Sequence, residues 1–260
     1  MRSTDMADEL FGAADALPGG VRLATAKRGG VTVTRVEIAR EGLARPRGRY
    51  VTLEMPSVSV LDERDTDVIE TGAAELRALL PPEGPVLVLG IGNRRVTADA
   101  LGPRTAQKIL VTMGPQHTLP VRGIRPVAAL APGVSGDTGL TLRQLAAAMV
   151  DAVRPAALIC VDSLCSAEAA RLGRTIQFSD TGLHPADVRH ARHLDAAALG
   201  VPVIAAGIPT LMDADEGADL VLTPRALDSV IAHGSALLAG ILNRALQPRL
   251  SVAQLCWLTG

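Results

Sequence analysis

The sequence predicts a single-domain α/β protein: a doubly wound, mostly parallel sheet flanked by helices, with an antiparallel strand pair near the N-terminus. Three observations carry this. The apolar runs Val86-Leu87-Val88-Leu89 and Ala157-Leu158-Ile159-Cys160-Val161 are unbroken, as expected of strands buried on both faces of a parallel sheet. Such runs alternate with segments of helical spacing, an order that places helices on both faces of one sheet. The segments 31–38 and 49–54 instead alternate apolar and polar with period two, as an antiparallel pair with one wet face does.

Taken in order, residues 1–30 are rich in Gly and Ala and weakly patterned, and are expected to be partly irregular. The strand pair over 31–38 and 49–54 follows. Helical spacing over 66–80 stops at Pro81-Pro82. Next come a strand at 86–91, a helix from about 98 to 112 and a strand at 125–130. A helix at 141–153 is ended by Pro155 and leads into a strand at 156–161. Short strands are expected at 175–178 and 201–206, the latter with Pro202 near its start, where a missing donor is tolerated. A long helix runs from Pro224 to about Leu246, with Pro in its first turn. No internal repeat or low-complexity linker divides the 260 residues, so one domain over 1–260 is expected.

Composition excludes several function classes. With 48% hydrophobic and 20% charged residues, the chain has an ordinary globular composition. Its net charge of −1 and lack of a basic block give no footprint for nucleic acid. At 2% aromatic residues, the core is aliphatic and base-stacking platforms are not expected. Cys160, Cys165 and Cys256 lack metal-ligand spacing and are odd in number, which reads as reduced thiols in a cytoplasmic protein. No secretory signal precedes the first apolar run, and no apolar stretch is read as a membrane span, so no membrane partner is expected.

The candidate chemistry lies at strand ends. Gly90-Ile91-Gly92-Asn93 follows the 86–91 strand but has no third glycine and no acidic residue ending the next strand, so a tight strand-to-helix turn is favoured over dinucleotide binding. Asp99 follows in the expected first helical turn, where a capping role is the ordinary reading and Thr97 is an alternative cap. Asp162 directly follows five apolar residues, and carboxylates are seldom fully buried without a partner, so a functional role is as good a reading as a structural one. Two strands of one sheet would deliver both carboxylates to the same carboxyl edge, where open α/β folds place ligands. One protonated and one ionised carboxylate can activate a water and protonate a leaving amine. Asp180-Thr181-Gly182 shares a triplet with aspartic proteases, but an Asx-type turn explains it equally simply. His184 is either a third polar group of the site or a surface imidazole, and His190 and His193 read as solvated. The Gly-rich loop 131–139 lacks a Lys and Walker spacing and is read as lining a peptide cleft. No Gly-x-Ser-x-Gly elbow surrounds Ser135, Ser163 or Ser166, which disfavours serine catalysis.

Together these segments resemble the germination protease family, the spore endopeptidases. The matching stretches include Thr4-Asp5-Met6-Ala7, Gly48-Arg49-Tyr50-Val51-Thr52-Leu53-Glu54, and Val88-Leu89-Gly90-Ile91-Gly92-Asn93. They continue with Thr97-Ala98-Asp99-Ala100-Leu101-Gly102-Pro103, Val161-Asp162-Ser163-Leu164, and Ser179-Asp180-Thr181-Gly182-Leu183-His184-Pro185. Gly207-Ile208-Pro209-Thr210 and Val221-Leu222-Thr223-Pro224 close a collinear series over nearly the whole chain. The resemblance implies an atypical aspartic-type endopeptidase, made as a zymogen and homotetrameric. Its substrates would be small acid-soluble spore proteins, degraded at germination in the forespore or spore core. It implies a fold like that of the hydrogenase-maturation endopeptidases, whose corresponding acidic residues bind nickel.

By motif the catalytic pair falls on Asp99 and Asp162; the motif leaves open which of the two is the base, and the expected helix N-terminus beside Asp99 favours that residue. Asp180, His184 and Asn93 are placed in supporting roles. No cofactor is expected on this reading. If the reaction is metal-dependent, a divalent ion on Asp99, Asp162 and His184 is the alternative, and a non-catalytic homologue that binds spore proteins is a third. The sequence departs from the family at three places. Ser3 interrupts its Arg-Thr-Asp stretch, which begins at Arg2, implying either no self-processing or a mature-like start. Residues 186–190 replace a Gly-Ser-Gly run, which would reshape the cleft. A family segment between Asp213 and Leu220 is mostly absent, which bears on substrate grip and assembly.

Overall fold

The structure is a computed structural model that describes residues 4–12, 16–62, 64–114, 123–184, 193–214 and 220–259. The departures at Arg2-Ser3 and 186–190, most of the shortened 213–220 segment, and His190 lie outside the described residues. In chain order the elements are α1 (Ala7–Gly12), β1 (Val21–Arg28), β2 (Val31–Ile38), β3 (Gly48–Glu54), α2 (Thr66–Leu79), β4 (Val86–Gly90), α3 (Leu101–Ala106) and β5 (Val127–Leu130). They continue with α4 (Ser135–Thr138), α5 (Leu142–Val153), β6 (Ala157–Cys165), β7 (Thr175–Ser179), α6 (Ala196–Leu199), β8 (Val203–Asp213), β9 (Val221–Leu222), α7 (Leu227–Leu246) and α8 (Val252–Thr259).

The nine strands of the described residues form one mixed sheet, ordered β1-β2-β3-β7-β8-β6-β4-β5, with β9 paired to the end of β8. The strands β5, β4, β6 and β8 are parallel neighbours. β7 runs antiparallel to β8 and joins this half to the antiparallel wing β1-β2-β3. Helices cover both faces. Val86, Val88, Ile159 and Val161 point toward α2, α3 and α7, whereas Leu87, Leu89, Leu158 and Cys160 pack with α5 and α6. This alternation is the pleat of doubly covered strands. α1 covers the other face of the wing through Ala7 and Phe11, against Val36, Ile38 and Tyr50.

Several boundaries depart from the sequence reading. The wing has three strands, because β1 pairs with β2 along eight residues within the segment expected to be irregular. Only Val21 of β1 is buried, so this edge strand carries no apolar signature. The expected helix 98–112 ends at Ala106. Beyond it, Asn243 of α7 takes over the backbone: Leu110 N–H donates to Asn243 Oδ1 at 2.9 Å, and Asn243 Nδ2 donates to Lys108 O at 3.0 Å. β6 does not stop at Val161 but continues through Asp162 to Cys165, because β8 runs on beside it. α7 begins at Leu227, so Pro224 precedes the helix. α8 was not among the expected elements; Ser251 and Gln254 open it with reciprocal bonds of 2.8 and 3.2 Å, a capping box. α7 has a mean hydropathy of 1.2 and is long and apolar enough to cross a membrane by length and composition, yet 67% of that stretch is buried inside the protein. Its apolarity serves the core.

Candidate active site

β4 and β6 are adjacent and parallel, with Gly90 opposite Val161. Asp99 and Asp162 are therefore carried to the carboxyl edge by neighbouring strands. Asp99 is held by a chain that doubles back. Gly92 has φ +125°, and a Cβ there would stand 2.0 Å from the Asp99 carbonyl oxygen. The Asn93 N–H donates to Asp99 Oδ2 at 2.7 Å. Asn93 thus supports Asp99 through its backbone, while its own side-chain Oδ1 accepts from Arg95 N at 2.9 Å.

Asp99 belongs to a 3-10 turn, Thr97–Asp99, and not to the first turn of an α-helix; Thr97 makes no side-chain cap there. The turn packs on β6 and β8, where Thr210 Oγ1 donates to Ala98 O at 2.9 Å. α3 comes down directly on the strands behind it: a Cβ at Gly102 would lie 2.2 Å from Ile91 O and 2.3 Å from Val161 O.

Asp162 is 4% exposed and lies within β6, not after it. Strand alternation turns it to the face of Cys160, and Ser163 N–H donates to its Oδ1 at 2.8 Å. Burial, reinforced by the Asp162 charge, pushes the Cys160 thiol far above its ordinary range, which makes it an inert core group. Asp162 lines a cavity of about 50 Å³ with Asp5, Arg45, Ser163, Gln177 and His184. That exceeds the ~10–15 Å³ one water needs. Asp99 stands outside this wall, at the end of the neighbouring strand.

The N-terminal segment completes the wall. Asp5 pairs with the end of β6: its N–H donates to Cys165 O and its Oδ2 accepts from Cys165 N, both at 2.8 Å. Gln177 of β7 donates to Asp5 O and accepts from Ala7 N, also at 2.8 Å. Behind this, Ala167 N donates to Glu9 Oε2 at 2.8 Å, and Arg171 ion-pairs with Asp8 and Glu9. Burial, with Asp5 next in effect, raises the Cys165 thiol to about 12.

The remaining candidates separate. Asp180 clamps β3, accepting from Arg49 N and Nε at 2.7 Å each, while its neighbours Ser179 and Thr181 line the cavity. His184 Nε2 lies 2.8 Å from Thr181 O, so that nitrogen carries the proton, and Nδ1 faces His193 Nδ1 at 3.3 Å. His193 is exposed, as expected, and its ring stands beside that of His184. Among the described residues no group of three or more His, Cys, Asp or Glu side chains is gathered as a metal-ligand set, so Asp99, Asp162 and His184 do not converge as one. Asp5, Arg45 and Gln177 were not singled out in the sequence. Asp5 lies in a stretch quoted for the resemblance, but no local pattern links it to Asp162.

The germination protease family profile matches residues 12–216. The chain belongs to the germination protease family. Among curated members, it is 33% identical over 278 aligned residues to the germination protease of Clostridium perfringens, covering 85% of this chain and 86% of that one. It is 40% identical over 210 residues to that of Caldanaerobacter subterraneus, covering 75% and 64%. Among solved structures it is similar to a NiFe hydrogenase maturation protease, HycI, from Thermococcus kodakarensis. That match has a TM-score of 0.44 at 17% identity and covers 66% of this chain and 98% of the other. Family membership makes the chain a peptidase.

Proposed function

We propose that this germination protease homologue is an endopeptidase that hydrolyses small acid-soluble spore proteins in the germinating spore, through Asp99 and Asp162. The observation that carries the reading is a buried carboxylate, Asp162, in the wall of a cavity beside the strand that presents Asp99. Asp99, with one oxygen fixed by the Asn93 N–H, is the base that takes a proton from water. Asp162 delivers a proton to the leaving amine. Proton transfers of this kind each contribute about 10²–10⁴-fold in rate. Asp180 and His184 shape the cleft without touching the reacting atoms. The reading needs no cofactor, and assembly as a homotetramer belongs to the same proposal.

The test is a digestion of a purified small acid-soluble spore protein by the native chain and by Asp99→Asn and Asp162→Asn, with fragments read by mass spectrometry. Discrete fragments from the native chain alone are expected, unchanged by a strong chelator. An intact substrate in every tube overturns the reading. Cleavage that needs an added divalent ion replaces the two-carboxylate scheme with the metal-dependent one.

A further inference from the structure

A solvent-open cavity of about 470 Å³ lies at the amino edge of the parallel strands, the end opposite Asp99 and Asp162. Val86 at the start of β4 donates there to Pro126 O at 2.9 Å, just ahead of β5. Arg77, Arg125 and Arg249 line the cavity, with Glu83 the one acidic lining residue among those described. Leu80, Pro81, Pro126 and Leu246 give it an apolar wall. The fold brings two of the arginines together. Gln247 clamps the Arg125 backbone, accepting from its N–H at 2.9 Å and donating to its carbonyl at 2.8 Å. Arg249 lies against Gly123, which has φ +85°; a Cβ there would stand 2.4 Å from Arg249 Nη1. Glycine is what lets that guanidinium lie beside the segment that carries Arg125. Arg125 is itself half-buried, and its Nε and Nη2 donate to Gly84 O and Glu83 O at 2.8 and 3.1 Å. Burial lowers its guanidinium below the ordinary value, as for a charge held partly out of water.

The charge balance favours an anion. α2 and α7 both end here, and a helix carboxyl end carries about half a negative charge. Arg77 serves one of them, donating Nη1 to Arg244 O in the last turn of α7 at 3.3 Å. Arg244 is matched separately by Glu70 at 2.7 Å. Two helix ends and Glu83 offset about two of the three guanidiniums, so the cavity keeps roughly one positive charge. The sequence between 115 and 122, just before Gly123, contains no Asp or Glu to cancel it. Guanidinium forks match carboxylate and phosphate, and a phosphate group offers three strong acceptor oxygens, enough for more than one fork at once. The volume is in the ~300–1,000 Å³ range of small-ligand sites and leaves room for more than phosphate alone. We propose that this cavity binds the phosphate group of a small ligand through Arg125 and Arg249, with the ligand's remaining part on the Leu–Pro wall. The site is remote from the cleft and does not depend on the reaction performed there.

The test is calorimetric titration of the full chain with AMP, adenosine and inorganic phosphate at low ionic strength, where exposed charges are least screened. AMP is expected to bind saturably, adenosine not at all, and added salt to weaken the binding. Arg249→Glu should weaken AMP binding about tenfold or more. It exchanges an exposed side chain far from the cleft, so the ligand-free melting temperature and the cleavage activity should stay native. Inorganic phosphate binding as tightly as AMP keeps the site and identifies free phosphate as its ligand. The inference is overturned if neither AMP nor phosphate binds, if adenosine binds as well as AMP, or if Arg249→Glu keeps native affinity. Should Arg249→Glu not fold, Arg249→Gln, which removes the charge alone, carries the same comparison.

Discussion

Asp162 and Gly102 show how differently two residues of one edge are constrained. Asp162→Asn keeps the shape of a buried side chain and removes its ability to exchange a proton. Cleavage is expected to fall about 10²–10⁴-fold with the melting temperature within a few degrees of native. Near-native turnover of the variant would remove Asp162 from the mechanism. Gly102→Ala instead drives a methyl group into two strand carbonyl oxygens 2.2 and 2.3 Å away. We expect a loss of about 1–3 kcal/mol in denaturant unfolding, and reduced activity because the Asp99 turn is displaced with α3. Asp180→Asn should cost about 1–2 kcal/mol by weakening the Arg49 clamp and leave cleavage within a few-fold. A large loss of cleavage in a fully folded Asp180→Asn chain would move Asp180 into the chemistry. The positions of the two carboxylates were legible in the sequence because each follows an unbroken apolar run, Asp162 at once and Asp99 after a Gly-containing turn. Asp5, Arg45 and Gln177 were not, since they come from segments more than 100 residues from Asp162 or from another strand, and no local period marks them.

At the level of elements, the N-terminal segment is a wall of the cleft and not a loose tail. Gln177 joins it to the sheet by accepting from Ala7 N and donating to Asp5 O. Gln177→Ala leaves both groups without their partner, and we expect it to cost about 1–3 kcal/mol. Hydrogen exchange should accelerate at Ala7 and Cys165 before it does in β4. Exchange that stays unchanged there would show that the segment is held by its acidic residues and Arg171 alone. The element boundaries that differed from expectation share a cause. α3 ended early because Asn243 of α7 supplied its backbone partners, and β6 ran on because β8 did. Neither influence is visible within the segment it changed.

The whole molecule sets a pH limit. Tyr50 is raised from 10.0 to about 12, chiefly by burial, and Cys165 from 9.0 to about 12 by burial and then by Asp5. Both groups are neutral when protonated. Once unfolded, they lose protons near their ordinary values, so between about pH 9 and pH 12 the unfolded chain holds fewer protons than the native one. Stability is therefore fully present below pH 9 and falls as pH rises through that window. Urea unfolding from pH 8 to 11 should show the decline, and Tyr50→Phe should flatten the part above pH 10. A level native profile would contradict the burial of these groups.

Several features were fixed locally in the chain: alternating strands and helices, the two unbroken apolar runs, and a carboxylate at or just beyond the end of each run. Hydrophobic periodicity is a property of neighbours in sequence, so it reports elements and faces. Only the tertiary structure decided that β4 and β6 lie side by side, that β6 carries Asp162 inside a continuing strand, and that Asp5 and Arg45 close the cavity around it. Those facts depend on hydrogen bonds and burial between segments far apart in the chain. Such contacts leave no periodic trace in either partner.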